Sequence, residues 1–265
     1  MLFALLSPAK KLDFKPAPDF IGKGALKVTQ PVLLKDTAVL AARAKRYTTN
    51  DIKRLMDLSP KLAALNYTRF QDFDPANKKE TKAAIYAFNG DVYLGFQASS
   101  LEPDDMAFAQ DHIGIISGLY GLLRPLDAIQ AYRLEMGSKV NTERGKDLYA
   151  FWRTSLADTV NKVTAALKQP TIINLASGEY WSAVDEAKLR APVIHVAFKE
   201  IKNGKAQVIG LFAKKARGMM ARYIVEHRVE TPEELKKFDS AGYGFDAAAS
   251  DATHWVFSRK AVAPK

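Results

Sequence analysis

Two glycines three apart, Gly118 and Gly121, stand between an apolar run and a proline in the stretch from Ile113 to Gly137, IGIISGLYGLLRPLDAIQAYRLEMG. Glycine adopts positive φ without a β-carbon penalty, so a turn built on this pair can aim backbone N–H groups at an anion. Ser117 precedes the pair, Tyr120 lies within it, and Arg124 adds a fixed positive charge. Pro125 suits the first position of a helix whose orphan N–H groups and positive end would face the same spot. The reading is a phosphate cradle of helix-hairpin-helix type, which holds a nucleic-acid backbone without reading bases. The alternative is a strand-to-helix turn whose glycines only relieve strain.

A second cationic element is KKARGMMARYIVEHR, residues 214–228. Ala216, Met219, Met220, Tyr223, Ile224 and His227 fall on one helical stripe, which marks a buried face and makes His227 a core histidine. Lys214, Lys215, Arg217, Arg222 and Arg228 fall on the opposite arc, where they can neutralise phosphates or form a solvated basic face.

A third cluster follows two short apolar runs read as strands. Ser7 and Lys10 follow Leu2 to Leu6, while Asn174, Ser177, Glu179 and Tyr180 follow Thr171 to Leu175. Ligands bind at carboxyl ends of strands in sheet proteins, so these residues can form a ligand pocket with Glu179 as its acid or base. Ser177 can equally cap the next helix. The Ser-x-x-Lys spacing of Ser7 and Lys10 lacks the companion motifs of serine acyl enzymes, and Pro8 opposes the helix that would align them. No P-loop, nucleophile elbow, dinucleotide fingerprint or paired-histidine motif is present, so neither a cofactor nor a metal site is expected.

The elements that must position these groups are legible in part. Helices are expected from Pro31 to Tyr47, from Ser59-Pro60 through Tyr67, from Pro103 with Asp104 and Asp105 in its first turn, and from Asp147 to Leu167. Val193 to Ile201 and Ala206 to Phe212 flank Asn203-Gly204, a type I′ hairpin turn. With Leu2 to Leu6, Thr171 to Leu175 and His254 to Ser258 the expectation is a mixed α/β (α+β) fold: one domain over 1–265, a mixed sheet covered by helices, with a basic cleft.

The chain has 265 residues, 48% of them hydrophobic, and a net charge of +10. Residues 199–228 hold eight basic side chains against two acidic ones, so six of those ten charges are concentrated there. Such a balance favours polyanionic partners. Cysteine is absent and no window is apolar enough to span a membrane, so a cytoplasmic location is expected, with a monomer as the simplest state.

Taken together, SPAKKLD, SGLYGLLRPLDAIQAYRLEMG with GKDLYAFW behind it, and NLASGEYW followed by AKKARGMMARYIVEHR resemble the bacterial YaaA family of peroxide-stress resistance proteins. The resemblance is collinear over nearly the whole chain. It implies a single-domain mixed fold with a positively charged cleft, DNA binding through a helix-hairpin-helix, and a link to limiting free iron during hydrogen peroxide stress. Carried over by position, the hairpin is Ser117 to Arg124, and Lys214, Lys215, Arg217 and Arg222 line or border the cleft. Lys11 stands where many members carry threonine. The combined expectation is a DNA-backbone binder, with an enzyme acting on a nucleotide or other phosphorylated small molecule in the same cleft as the alternative.

Overall fold

The computed structural model describes residues 1–22, 24–77 and 80–261. The strands are β1 (Leu2–Leu6), β2 (Lys82–Ala83), β3 (Ile113–Ser117), β4 (Gly121–Leu123), β5 (Ala128–Ile129), β6 (Thr171–Leu175), β7 (Val193–Lys202), β8 (Lys205–Gln207), β9 (Gly244–Phe245) and β10 (His254–Lys260). The helices are α1 (Leu34–Ala44), α2 (Thr49–Met56), α3 (Pro60–Asp72), α4 (Ala84–Ala87), α5 (Asp91–Phe96), α6 (Pro103–His112), α7 (Leu148–Thr164), α8 (Gly178–Trp181), α9 (Gly210–Glu226) and α10 (Pro232–Leu235).

One mixed sheet organises the chain in the order β4-β3-β1-β6-β7-β10-β9, with β8 paired to β7. Its centre, β3-β1-β6-β7-β10, is parallel. The flanking strands β4, β8 and β9 are antiparallel. Every residue of β1, β3 and β6 is buried, as strands covered on both faces must be. Leu2, Phe3, Ile115, Ile172 and Ile173 therefore sit in one continuous core with Trp152, Met220 and Phe257.

Local signals explain most boundaries. Ser59 accepts from the Leu62 N–H ahead of Pro60, and Asp147 accepts from the Ala150 N–H to start α7. Asp105 completes a capping box with Glu102 at α6, so the Asp104–Asp105 pair is a helix-start feature. Asn203 and Gly204 both take positive φ at the β7–β8 turn, but β8 is short because Gly210 opens α9. His227 is exposed just beyond α9, its ring centroid 4.2 Å from that of Tyr223 and tilted 43° to it, so it is not the core histidine the stripe suggested.

The segment 113–129 departs most from expectation. Residues 113–123 form an antiparallel β-hairpin, with Ile115, Ile116 and Ser117 paired to Leu123, Leu122 and Gly121; the residues after Pro125 form no helix, and β5 pairs with β2 in a separate two-stranded sheet. The Asp127 carboxylate explains the second point: it accepts from the Arg124 N–H and the Thr29 hydroxyl, closing a turn where Pro125 would otherwise begin a helix.

Candidate phosphate-binding cleft at the strand ends

After β1 the chain passes to β3 on one side, and after β6 it passes to β7 on the other. The carboxyl ends of adjacent strands β1 and β6 are therefore a topological switch point, where connections diverge and leave a crevice. A cavity of about 310 Å³ lies there, lined by Ser7, Lys10, Asp91, Tyr93, Ser177, Glu179, Tyr180, Lys214 and Arg217 among others. A hollow of about 580 Å³ at the opposite strand ends, beside Met1, Thr171 and Arg190, lies away from this divergence.

Hydrogen bonds knit the floor of the strand-end cavity. Ser177 donates its backbone N–H to the Ser7 hydroxyl at 2.8 Å, and Ser7 donates to the Ser177 hydroxyl at 3.3 Å. The Tyr93 hydroxyl donates to the Ser7 carbonyl at 3.1 Å. Burial pushes the Tyr93 and Tyr180 phenols well above their ordinary range, so both are neutral at pH 7. Glu179 is exposed and accepts from the Gly137 N–H through one oxygen. Lys10 pairs with Glu135 at 2.5 Å, and Arg133 grips the same carboxylate at 2.8 Å.

The cations arrive from α9. That helix crosses α5 at a glycine contact: a β-carbon on Gly218 would lie 1.8 Å from the Val92 carbonyl oxygen, and one on Gly95 would lie 2.1 Å from that of Lys215. No other residue permits that approach. It brings Lys214 and Arg217 against Asp91 and Val92 across the cavity. Arg217 is the telling group. Its Nε is fully buried without a hydrogen-bond partner, no carboxylate among the described residues reaches its guanidinium, and burial lowers its affinity for the proton. The side chain is half-buried, and a partly desolvated cation without a carboxylate favours an anion beside it. Lys214 is exposed and likewise unpaired among the described residues.

Other expected site residues fall elsewhere. Ser117, Gly118, Tyr120 and Gly121 are buried, and the Leu119 and Tyr120 N–H groups donate to the Ser117 hydroxyl rather than to a ligand. Only Gly121 takes positive φ; Gly118 is required because a β-carbon there would lie 2.3 Å from the Leu134 carbonyl oxygen. The cradle is thus a packed turn, and Trp152 donates to the Gly118 carbonyl to seal it. Arg124 faces buried Asp127. Arg222 donates to the Phe96 and Gln97 carbonyls and pairs with Glu226, so it ends α5 rather than serving a ligand. Asn174 points away from the cavity to His195 and the Ala176 N–H. Lys215 is exposed outside the cavity lining.

Sequence reasoning missed Asn89, Asp91 and Tyr93, which α5 and its approach deliver to the cavity. It also missed a second basic region. A groove of about 700 Å³ is lined by Val39, Arg43, Arg46 and the segment 141–144 with Arg144. An adjoining depression holds Tyr47, Arg54, Gly137 and Lys139. Gly137 bonds to Glu179 of the cavity, so the 137–144 segment runs from the cavity to the groove. Arg43 lies over the Tyr47 ring with its Nε unpartnered, whereas Arg54 and Arg144 pair with Asp51 and Asp36. The helices α2 and α3 meet beside this depression, joined by Asp57-Leu58-Ser59 with Asp57 in the left-handed region. His195 and His254 stack at 4.9 Å because β7 and β10 pair them in register, which their sequence separation hides.

Among the described residues no helix is long and apolar enough to cross a membrane. Comparison with known proteins extends the resemblance. The chain is 48% identical over 262 residues to a UPF0246 protein of Bordetella petrii, covering 98% of this chain and all of the relative. It is 44% identical over 259 residues to a UPF0246 protein of Acaryochloris marina, covering 97% and 100%, and 47% identical over 258 residues to one of Caulobacter vibrioides, covering 97% and 99%. The family profile described as peroxide stress protein YaaA matches residues 1–249. The chain belongs to the peroxide stress protein YaaA family.

Proposed function

We propose that the chain serves peroxide resistance as a cytosolic, phosphate-gripping protein whose principal ligand is the DNA backbone. The supporting observation is a run of cations that meet no carboxylate among the described residues, Lys214 and Arg217 at the cavity and Lys139, Arg46 and Arg43 toward the groove, along surfaces that share the 137–144 segment. Such a track holds phosphates by charge and shape rather than by base edges. The buried 117–121 turn plays no part in it.

The test is binding of duplex, single-stranded and branched DNA across a salt titration. Arg46→Ala and Lys139→Ala should each weaken binding similarly for all sequences and lower the salt slope by about one, the share of a single neutralised phosphate. Unchanged affinity and slope in both variants would remove the groove from the track. In cells, a variant defective in DNA binding should fail to restore peroxide resistance and control of free iron to a strain lacking the protein; full restoration would break the link.

A second reading is favoured by the recessed site at the switch point: a nucleotide or other phosphorylated small molecule, bound or acted on at the cavity.

A further inference from the structure

The strand-end cavity is smaller and more recessed than the groove. Its lining carries three cations with no ion pair among the described residues, Lys11, Lys214 and Arg217, and two acids, Asp91 and Glu179, with Ser7, Ser177 and the buried tyrosines Tyr93 and Tyr180 beside them. Lys214 and Arg217 stand three residues apart on α9, so the two can share one dianionic phosphate, the charge of a phosphomonoester near neutral pH, and gain more from it than from the single charge of a backbone diester. About 310 Å³ is near the lower end of small-molecule sites, enough for one nucleotide and too little for a strand. Glu179 spends one carboxylate oxygen on the Gly137 N–H, and its second oxygen has no partner among the described residues. It can accept from an amine or hydroxyl on the ligand.

Resting on the second reading above, we propose that this cavity binds a nucleoside monophosphate, with its phosphate on Arg217 and Lys214 and its nucleoside against Tyr93, Tyr180 and Glu179. The same phosphomonoester also occurs at a 5′-phosphorylated nucleic-acid end, which offers the site one terminal nucleotide.

Calorimetric titration of the full chain with adenosine, guanosine, cytidine and uridine monophosphates tests the assignment, with inorganic phosphate, ribose 5-phosphate and adenosine as partial ligands. At least one monophosphate should bind more tightly than every partial ligand. Arg217→Met and Lys214→Ala should each weaken it by about 10- to 100-fold, the effect of removing one charge-assisted hydrogen bond, with the thermal midpoint of each variant showing that it is folded. Oligonucleotides with and without a 5′-phosphate distinguish the sources. Competition by the phosphorylated oligonucleotide alone adds the chain end as a ligand, whereas no competition restricts the site to free nucleotides. If ribose 5-phosphate binds as tightly as any nucleotide, the nucleoside assignment fails while the phosphorylated-ligand reading stands. If no phosphorylated ligand binds, both fail. If Arg217→Met binds as the parent does, the placement of the phosphate is wrong. Lys214 and Arg217 also stand on the proposed DNA track, so mononucleotide binding, which needs no groove, tests the cavity, and the salt titration of Arg46→Ala and Lys139→Ala, outside the cavity lining, reads DNA binding separately.

Discussion

Arg217 and Arg222 share one helix and one charge, yet their surroundings give them opposite work. Arg222 satisfies two carbonyls at the end of α5 and an acid one turn along its own helix. Hydrogen bonds to a charged group are worth about 1.5–3 kcal/mol, so Arg222→Ala should destabilise the fold by about that much. Arg217 meets no acceptor among the described residues, and its desolvation works against the unliganded fold. Arg217→Met keeps much of the volume and removes the charge. It should raise the thermal midpoint, by about 2–4 °C for each kcal/mol of desolvation relieved. Parallel melts of the two variants decide the matter: equal destabilisation would make Arg217 a structural residue and withdraw the strongest support for an anion at the cavity. Neither role was legible in sequence, where both arginines lie on the polar arc of one amphipathic stretch; the difference comes from which element faces each of them.

At the scale of elements, the cavity depends on how closely α9 lies on α5. With a β-carbon on Gly218 only 1.8 Å from the Val92 carbonyl oxygen, Gly218→Ala must part the helices. Overpacking of this kind costs about 1–3 kcal/mol, and it should weaken any cavity ligand because Lys214 and Arg217 are carried by the same stretch of α9. Gly210→Ala is the matched control: a β-carbon there meets nothing within 4 Å, and it should be neutral or stabilising by up to about 1 kcal/mol. Denaturant melts that rank the two variants equally would contradict the close-approach account. Where element boundaries were set by local chemistry, they could be read from sequence: Ser59-Pro60, Asp147 and Asn203-Gly204 all act through neighbours a few residues away. The 113–129 segment could not. Its proline and glycines carry the marks of a helix-hairpin-helix, but tertiary partners decide the outcome, with Thr29 on Asp127, Leu134 against Gly118 and Trp152 across Gly121.

The whole molecule unites a sheet whose strand order cannot be read along the sequence with a charge distribution that can. The parallel centre places Ser7 beside Ser177 and His195 beside His254, contacts between residues far apart in the chain, and this is why the structure brings Ser7, Lys10, Ser177, Glu179 and Tyr180 together as expected but turns Asn174 away. The same packing shapes stability against pH. His112 is buried, with Nδ1 2.8 Å from the Leu2 carbonyl and its ring stacked on Phe108. Burial outweighs that hydrogen bond and lowers its folded value below 6.5, so beneath 6.5 the unfolded chain binds the extra proton first. Its contribution is complete above 6.5 and is lost as pH falls from there through the lowered folded value. Glu135 acts lower. Burial alone would raise its value, but Lys10 and Arg133 together overcome that and hold it below 4.5, so its contribution is present above 4.5 and is lost as pH falls through the depressed value. Stability measured from pH 8 downward should therefore fall in two stages, one beginning near 6.5 and one below 4.5. His112→Gln, which keeps a donor for Leu2 but cannot titrate, should flatten the first stage and leave the second; Glu135→Gln should diminish the second alone. A first stage that persists in His112→Gln would move the titrating group elsewhere, and one that vanishes only in Glu135→Gln would tie it to the cleft mouth instead of the α6–β1 contact.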